Sequence, residues 1–274
     1  MTNREKIVKL ARTFTAMCRH PVAFAEFAVA FGDSAMKDRV ERRHGLKNGL
    51  PTLDLLDLFP NFEEQVSPYA FLEGGSTTID LALLKALARR YDACRYFEIG
   101  SWRGESVANV ASVAKECISL SLSDDEMRQA GWNDRYVATA KFFSRHLKNV
   151  VHIGHNSRTF DYTPYLGTCD LVFIDGDHSY DGVRADTEQA FRLLRDDRSA
   201  IVWHDYMRTS EENVEWGVVG GLLDGAPKEA VRHIYHVSNT LCALYIKGSF
   251  STATAVVPAV PDKAFDVRIA ARKC

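Results

Sequence analysis

The sequence lacks any apolar run long enough to cross a membrane, and it lacks a surplus of either charge. Its longest apolar stretch, residues 21–31, is interrupted by Glu26 and is much shorter than the roughly 20 residues of a transmembrane helix. With 34 lysines and arginines against 36 aspartates and glutamates, the net charge of -2 offers no basic surplus to a nucleic-acid backbone. No N-terminal segment has the layout of a signal peptide. We therefore expect no membrane anchor and no nucleic-acid partner.

Cysteine pairs with the spacing of a metal site or a redox site are also missing. The six cysteines are scattered without a C-x-x-C motif, at Cys18, Cys94, Cys117, Cys169, Cys242 and Cys274. Several stand inside apolar runs, where a free cysteine behaves as a small buried hydrophobic residue. This usage is typical of a reducing compartment, so we expect a cytoplasmic protein.

The composition is that of a globular protein. Hydrophobic residues make up 46% of the 274 residues and charged residues 26%, which argues against disordered, collagen-like and membrane-spanning chains. The length predicts one main domain with an appendage. We place a helical appendage, acting as a lid or a dimerisation element, at residues 1–73, the main domain at 74–248 and an irregular tail at 249–274.

From residue 74 onward, short apolar runs alternate with helical patterns. Strands are predicted at residues 95–99, 118–122, 150–153, 171–174 and 200–203, with helices between them at 105–114, 125–146 and 181–194. This alternation predicts parallel strands with helices on both faces. Two further apolar runs, 231–237 and 241–246, predict a terminal hairpin. We therefore predict an α/β fold with a doubly wound, mostly parallel sheet of seven strands.

A glycine-containing turn follows the first predicted strand, in the stretch Glu98-Ile99-Gly100-Ser101-Trp102-Arg103-Gly104-Glu105-Ser106. Its glycines allow close approach of a ligand, and the helix that follows offers N–H groups to an anionic group. Trp102 occupies the position of the middle glycine in the dinucleotide fingerprint, which weakens a pyrophosphate site. The turn predicts a nucleotide-like cofactor, with NAD as the alternative, although an ordinary strand-to-helix turn also uses glycine.

The fourth and fifth predicted strands end in polar side chains. Asp175, Asp177 and His178 follow the fourth strand, and His204 with Asp205 follows the fifth. Ligands of open α/β sheets bind at this edge, so the two groups should converge. Asp175, His204 and Asp205 can form half of the coordination shell of a divalent ion. Carboxylates suit Mg²⁺, whereas the imidazole favours Mn²⁺, Fe²⁺ or Zn²⁺ or a supporting role, which leaves the metal's identity open.

Together, the two motifs resemble those of class I S-adenosylmethionine-dependent methyltransferases, which have a Rossmann-like sheet. Over residues 76–247 the chain is similar to metal-dependent O-methyltransferases of the catechol type and to macrocin O-methyltransferase-like and cephalosporin-hydroxylase-like relatives. The resemblance implies a cofactor site formed by Glu98, Gly100, Ser101, Gly104, Ser106, Ser121, Asn156, Ser157 and Asp175. It implies a metal site formed by Asp175, His204 and Asp205.

The resemblance also implies a role for the individual cofactor residues. Gly100 and Gly104 would line the methionine end of the cofactor, and Ser106 would reach its carboxylate. Glu98 would hold the geometry of the strand end. Residues 155–157, which include Asn156 and Ser157, would meet the edge of the adenine ring.

The sequence departs from the family pattern at two positions. The second strand of the domain normally ends in an acidic residue for the ribose hydroxyls, where this chain has Ser121. Asp124 and Asp125 either take over that contact or belong to an N-cap with acids in the first helical turn. Three residues after the first metal-binding aspartate, the family has a lysine base and this chain has His178. A neutral imidazole can also accept a proton near neutral pH.

These observations predict methyl transfer from S-adenosylmethionine to a hydroxyl group of a small-molecule substrate, assisted by a divalent ion, Mg²⁺ or Mn²⁺, with His178 as the base. Two alternatives stay open at this point: a NAD-linked oxidoreductase on the same sheet, and a non-catalytic cofactor-binding protein, which Ser121 favours. The apolar helical spacing of the appendage also allows a homo-oligomer.

Overall fold

The computed structural model of the chain describes residues 21–72, 74–209, 214–254 and 260–273. Within them nine strands form one sheet: β1 Thr52–Leu53, β2 Arg95–Ile99, β3 Glu116–Ser121, β4 Val150–Gly154, β5 Leu171–Ile174, β6 Ala200–Trp203, β7 Ile234–Val237, β8 Ala243–Tyr245 and β9 Thr252–Ala253. Their order across the sheet is β4-β3-β2-β5-β6-β8-β7-β1-β9. The neighbours from β4 to β6 are parallel, and β8 runs antiparallel between β6 and β7. The predicted mostly parallel sheet is confirmed.

Two short strands at one end of the sheet, β1 and β9, raise the strand number from the predicted seven to nine. β1 pairs parallel to β7, and β9 pairs antiparallel to β1. Each contains only two residues, which is too short to show the alternation of apolar and polar side chains that identifies a strand in a sequence.

Helices cover both faces of the sheet. Those in the described residues are α1 Pro21–His44, α2 Leu55–Leu58, α3 Thr78–Ala88, α4 Glu105–Ala111, α5 Asp124–Gln129, α6 Asp134–Thr139, α7 Tyr180–Leu193 and α8 Trp216–Gly225. Successive side chains of β5 alternate between two hydrophobic cores. One core contains Val183 of α7 and Val219 of α8, and the other contains Leu84 of α3 and Val107 of α4.

One predicted helix is divided in two. The pattern at residues 125–146 predicted a single helix, whereas the structure has α5 and α6 there. Gly131 lies between them with a φ of +90°, a left-handed conformation that is typical of the end of a helix. Asn133 then caps α6 by accepting a hydrogen bond from the backbone N–H of Tyr136 at 2.9 Å. Periodicity did not reveal the break because a single glycine is tolerated in a helical pattern.

The N-terminal part of the described chain packs against the main sheet domain through α1. Asp224, a buried carboxylate of α8, pairs with three side chains of α1, namely Arg39, Arg43 and His44. The N–O distances are 3.1, 2.9 and 2.9 Å. These ion pairs hold α1 on α8. The predicted division into three segments, and the lid or dimerisation role of the first, stay predictions.

Among the helices of the described residues, none is both long and apolar enough to cross a membrane. The described cysteines are buried and unpaired: Cys94, Cys117, Cys169 and Cys242. Cys18 and Cys274 lie outside the described residues. Burial agrees with the interpretation of these residues as small hydrophobic side chains, while the cytoplasmic location stays a prediction.

Candidate functional site

The carboxyl ends of β2, β5 and β6 lie side by side, because the last residues of the three strands pair with one another in the sheet. The next residues along the chain, Gly100, Asp175 and His204, therefore begin at one edge. The backbone N–H of Asp175 donates to the carbonyl of Ile99 at 2.8 Å, and that of His204 donates to the carbonyl of Ile174 at 3.0 Å. The backbone hydrogen bonds between neighbouring strands thus continue one residue beyond the strand ends, and they fix the backbone of the predicted site.

A cavity of about 980 Å³ opens at this edge. Nine of the predicted site residues line it: Gly100, Ser101, Ser121, Asn156, Ser157, Asp175, His178, His204 and Asp205. Glu98, Gly104 and Ser106 do not line it and are buried behind the glycine turn. The structure therefore brings the predicted metal ligands and His178 together with most of the predicted cofactor residues. Their roles stay predictions.

Gly100 allows the ends of β2 and β5 to touch. Its φ is +90°, and a β-carbon at this position would overlap the backbone carbonyl of Asp175. Gly104, with a φ of +79°, is the N-cap of α4, and a β-carbon there would overlap the hydroxyl of Ser144. The first glycine thus joins the turn and Asp175 into a common wall of the cavity.

Glu98 supports the turn from behind the cavity wall. Its side chain is fully buried at the end of β2, and the hydroxyl of Tyr96 donates a hydrogen bond to it at 2.7 Å. Burial raises the pKa of Glu98 to about 7, although the hydroxyls of Tyr96, Ser106 and Ser101 partly oppose this shift. Glu98 is therefore buried near the end of β2 without lining the cavity, and its predicted role of holding the geometry of the strand end stays a prediction.

Asp175, His204 and Asp205 form a compact cluster on the cavity wall. One possible ligand atom of each lies within 4.8 Å of the others. Nδ1 of His204 is 3.2 Å from Oδ1 of Asp175 and 3.1 Å from Oδ2 of Asp205. The imidazole is 5% exposed, yet neither of its nitrogens has hydrogen-bond geometry to a partner among the described residues. Such a buried nitrogen between two carboxylates is suited to a cation.

The charges of this cluster depend on one another. Burial lowers the pKa of His204, but the surrounding carboxylates of Asp175, Asp205 and Asp80 outweigh burial and raise it well above its ordinary value. Burial raises the pKa of Asp205, but the imidazoles of His178 and His204 outweigh burial and hold it far below its ordinary value. The carboxylates thus favour a positive charge at the position of His204, and the two imidazoles favour a negative charge on Asp205.

His178 shares the carboxylate of Asp205 with His204. Its Nδ1 is 2.6 Å from Oδ2 of Asp205, and 57% of its side chain is exposed at the cavity. The hydrogen bond to Asp205 raises the pKa of His178, against the effect of burial. Asp205 has a φ of +54°, which is uncommon for a residue other than glycine and is often found at functional sites.

Asp80 is a site residue that the sequence analysis missed. It lies in the first turn of α3, is fully buried, and places Oδ2 3.4 Å from Nε2 of His204. Thr77 and Asp80 form a capping box, in which each side chain bonds the backbone N–H of the other. The spacing of the two residues in the sequence indicates only this cap, so nothing in the sequence connected Asp80 with His204.

Ser121 lies on the cavity wall at the end of β3, and its buried hydroxyl has no hydrogen-bond partner in the described ranges. Ser123 caps α5 in a capping box with Glu126. Neither Asp124 nor Asp125 lines the cavity. The structure therefore favours the N-cap interpretation of these two acids and leaves no carboxylate of theirs beside Ser121.

Aromatic side chains form another wall of the cavity. Trp102 stacks on Tyr136 with ring centroids 4.7 Å apart and an angle of 12°, and the rings of Trp132 and Tyr136 are nearly perpendicular, with centroids 4.0 Å apart. The indole N–H of Trp102 donates to the hydroxyl of Thr139 at 3.0 Å, which fixes the ring. The sequence pointed to Trp102 but not to the other two rings, because the break at Gly131 that presents them was not predicted.

Two ion pairs lie at the cavity as well; of their four residues, the sequence analysis had named only Asp177. Arg158 binds Asp177 at 2.9 Å, and Arg208 binds Glu215 at 3.1 Å. All four residues line the cavity that also contains the cluster of carboxylates and imidazoles. The cavity therefore combines polar, charged walls with the aromatic wall around Trp102.

Residues 97–206 match the family model described as "Methyltransferase domain", over less than half of the chain. A curated relative is "Uncharacterized protein R132" of Acanthamoeba polyphaga mimivirus, with 30% identity over 130 residues. That alignment covers 45% of this chain and 58% of the relative, so the chain spans little more than half of the relative's length. The segment that matches the family model contains the glycine turn and the cluster of Asp175, His204 and Asp205.

Solved structures of similar fold include two O-methyltransferases. One, from Bacillus cereus in complex with SAH, is 14% identical, with a TM-score of 0.44 and coverage of 78% of this chain and 91% of that chain. The other, TomG from Streptomyces achromogenes, involved in tomaymycin synthesis and in complex with SAM, is 19% identical, with a TM-score of 0.41 and coverage of 64% and 82%. The match of residues 97–206 to the family model confirms the predicted resemblance at the level of a methyltransferase domain, and the metal-dependent subtype stays a prediction.

The close contact at Gly100 predicts a difference between two glycine variants. Gly100 and Gly131 both have a φ of +90°, but no atom lies within 4 Å of a β-carbon placed at Gly131. Gly131→Ala should therefore cost only the left-handed strain, about 1–2 kcal/mol of the free energy of unfolding. Gly100→Ala should cost about 1–3 kcal/mol more, because the methyl group meets the carbonyl of Asp175. Urea denaturation of both variants measures the difference, and equal losses would contradict the contact.

Proposed function

We propose that the chain is an S-adenosylmethionine-dependent O-methyltransferase that acts on a hydroxyl group of a small molecule with the help of a divalent metal ion. The observation that carries the proposal is the common wall of the cavity. The backbone of Asp175 abuts Gly100 of the glycine turn, while its carboxylate lies 3.2 Å from His204. A cofactor on the turn and an ion at the cluster would therefore be neighbours. The match to a methyltransferase domain spans both groups.

The cavity suits a cofactor of this size and polarity. Its volume of about 980 Å³ is near the upper end of the range for small-molecule sites. Residues 100–101 would hold the methionine end, and residues 155–157 the adenine edge. The unpartnered hydroxyl of Ser121 suits a hydrogen bond with a ribose hydroxyl. S-adenosylmethionine, when bound, supplies an activated methyl group.

The cluster suits a divalent ion. Asp175, His204 and Asp205 offer two carboxylate oxygens and one imidazole nitrogen from a rigid sheet edge. This donor set fits Mn²⁺ or Fe²⁺ better than Mg²⁺, which prefers oxygen ligands throughout. When bound there, a divalent ion supplies Lewis-acid stabilisation to a developing alkoxide or phenolate.

His178 is the residue that we assign as the base. If Nδ1–H is donated to Asp205, 2.6 Å away, Nε2 is the nitrogen that can take the proton of the acceptor hydroxyl. Asp205 would then orient the ring, as the carboxylate does in other carboxylate–histidine pairs. The remaining contribution of the chain is positioning. Holding acceptor and methyl donor in a near-attack arrangement can contribute about 7–11 kcal/mol.

Calorimetric titration of the purified full chain tests the proposed cofactor. S-adenosylmethionine and its demethylated product should bind with one molecule per chain and dissociation constants in the range of about 1 μM to 1 mM. NAD should bind much more weakly, because Trp102 stands where the dinucleotide fingerprint has a glycine. Binding of NAD without binding of S-adenosylmethionine would instead favour an oxidoreductase. Binding of neither would contradict a nucleotide-like cofactor.

The proposed metal site predicts the behaviour of Asp205→Asn. Asparagine tolerates the left-handed backbone of this position but removes one charged ligand. Mn²⁺ affinity, measured by electron paramagnetic resonance titration, should fall by about a hundredfold or more, while affinity for S-adenosylmethionine changes by about threefold at most. Asp177→Asn is the matched control: Asp177 also lines the cavity, but it pairs with Arg158. Unchanged Mn²⁺ affinity in Asp205→Asn would exclude Asp205 as a ligand.

A further inference from the structure

We propose that Asp80 is a positioning residue of the metal site: it holds the imidazole of His204 so that Nε2 faces Asp80 and Nδ1 is the nitrogen offered to the ion. The inference rests on the metal site of the proposed function. It adds a residue from α3, a helix outside the matched segment 97–206, and states which nitrogen of His204 this residue faces.

The two nitrogens of His204 face different carboxylates. Nε2 lies 3.4 Å from Oδ2 of Asp80, whereas Nδ1 lies 3.2 Å from Asp175 and 3.1 Å from Asp205. Asp175 and Asp205 line the cavity, and Asp80 does not. His204 therefore stands between a buried carboxylate on one side and the two cavity carboxylates on the other.

Asp80 is itself held firmly. The backbone N–H and the hydroxyl of Thr77 both donate to its Oδ2 at 2.7 Å, and the backbone N–H of Leu241 donates to its Oδ1 at 2.8 Å. Its side chain is 0% exposed. The thiol of Cys242 also donates to Oδ1, at 3.5 Å. A carboxylate fixed by these four donors keeps its position when a ligand enters the cavity, so it can position the ring of His204.

The chemistry of imidazole explains why this contact matters. A neutral imidazole carries one N–H, and the hydrogen bond made by one nitrogen decides which lone pair is available at the other. Nε2 and Oδ2 of Asp80 are in contact as an ion pair at 3.4 Å, without the alignment of a hydrogen bond. A proton kept on Nε2 by this carboxylate leaves the lone pair of Nδ1 available to a metal ion between Asp175 and Asp205. Without Asp80, the proton could reside on Nδ1 and be shared with these two carboxylates, and His204 would offer no lone pair there. Histidine ligands of metal ions are commonly oriented by a carboxylate in this way.

A purely structural role for Asp80 makes a different prediction, because Asp80 also completes the capping box of α3. Loss of the cap would weaken the start of the helix and disturb the site whatever residue occupies position 204. If Asp80 acts through His204, its effect on metal affinity should depend on the imidazole being present. A double-mutant cycle separates the two roles.

The experiment measures Mn²⁺ affinity of the full chain for the wild type, Asp80→Asn, His204→Asn and the double variant, with S-adenosylmethionine affinity as a check on the fold. Asp80→Asn should lower Mn²⁺ affinity by about 10- to 100-fold in the wild type and by about twofold or less in the His204→Asn background. Thr77→Ala is the graded comparison. It weakens the same cap and removes one donor to Oδ2 of Asp80 but keeps the carboxylate, so it should lower Mn²⁺ affinity by clearly less than Asp80→Asn does. A loss as large as that of Asp80→Asn would assign the effect to the cap and overturn the inference.

The outcomes are distinguishable. An equal loss in both backgrounds, or no loss in Asp80→Asn, would overturn the inference and leave the proposed function standing. Failure of the wild type to bind Mn²⁺ while it binds S-adenosylmethionine would overturn the metal site and this inference together. Failure to bind either would overturn the proposed function as a whole.

A second measurement does not require the Asp80 variant to fold. In the Zn²⁺-loaded wild type, nitrogen-15 spectra of labelled histidine should show the His204 signal with a proton on Nε2 and none on Nδ1, identified by its absence in His204→Asn. A proton on Nδ1 of His204 would overturn the inference.

Discussion

The site depends on the charge balance around one buried imidazole. Three carboxylates, those of Asp80, Asp175 and Asp205, lie within 3.4 Å of the ring of His204. Carboxylates this close repel one another in a water-poor environment unless a positive charge stands between them. The three carboxylates raise the pKa of His204 because they favour a positive charge on its ring. The carboxylates need a positive charge near them, and Nδ1 of His204 with one oxygen each of Asp175 and Asp205 faces the cavity wall. A divalent ion bound by these three atoms could supply that charge in place of a proton on Nδ1.

The sheet fixes the positions of the side chains on which this charge balance depends. Because β2, β5 and β6 are parallel and in register, their ends deliver Gly100, Asp175 and His204 to one edge without any long loop between strand and site. Gly100 lacks the β-carbon that would push Asp175 away. Asp175 therefore links two parts of the site, since its backbone abuts Gly100 of the glycine turn and its carboxylate lies 3.2 Å from His204. The methyl transfer that we propose would depend on this closeness of the two binding regions more than on an unusual reactive group.

Periodicity and the shared edge of parallel strands made much of the fold and the site predictable from the sequence. Five strands, the hairpin and the convergence of Asp175, His204 and Asp205 were predicted from such patterns. β1 and β9 were missed because a strand of two residues is too short to show an alternation of apolar and polar side chains. The division of the helix was missed because a single glycine, Gly131, is tolerated in a helical pattern. Asp80 was missed because its spacing from Thr77 is fully explained by a helix cap. A residue with a sufficient local role gives no sign in the sequence of a second role that depends on tertiary contact.

The central claim is that Asp175, His204 and Asp205 bind one divalent ion next to the glycine turn at Gly100. A crystal structure of the chain with S-adenosylmethionine and Mn²⁺, with anomalous diffraction recorded at the manganese edge, tests it most directly. The account predicts one strong anomalous peak at coordination distance from both carboxylates and from Nδ1 of His204, with the methionine end of the cofactor beside Gly100. Cofactor density without a peak at this cluster, or a peak that does not involve Nδ1 of His204, would contradict it.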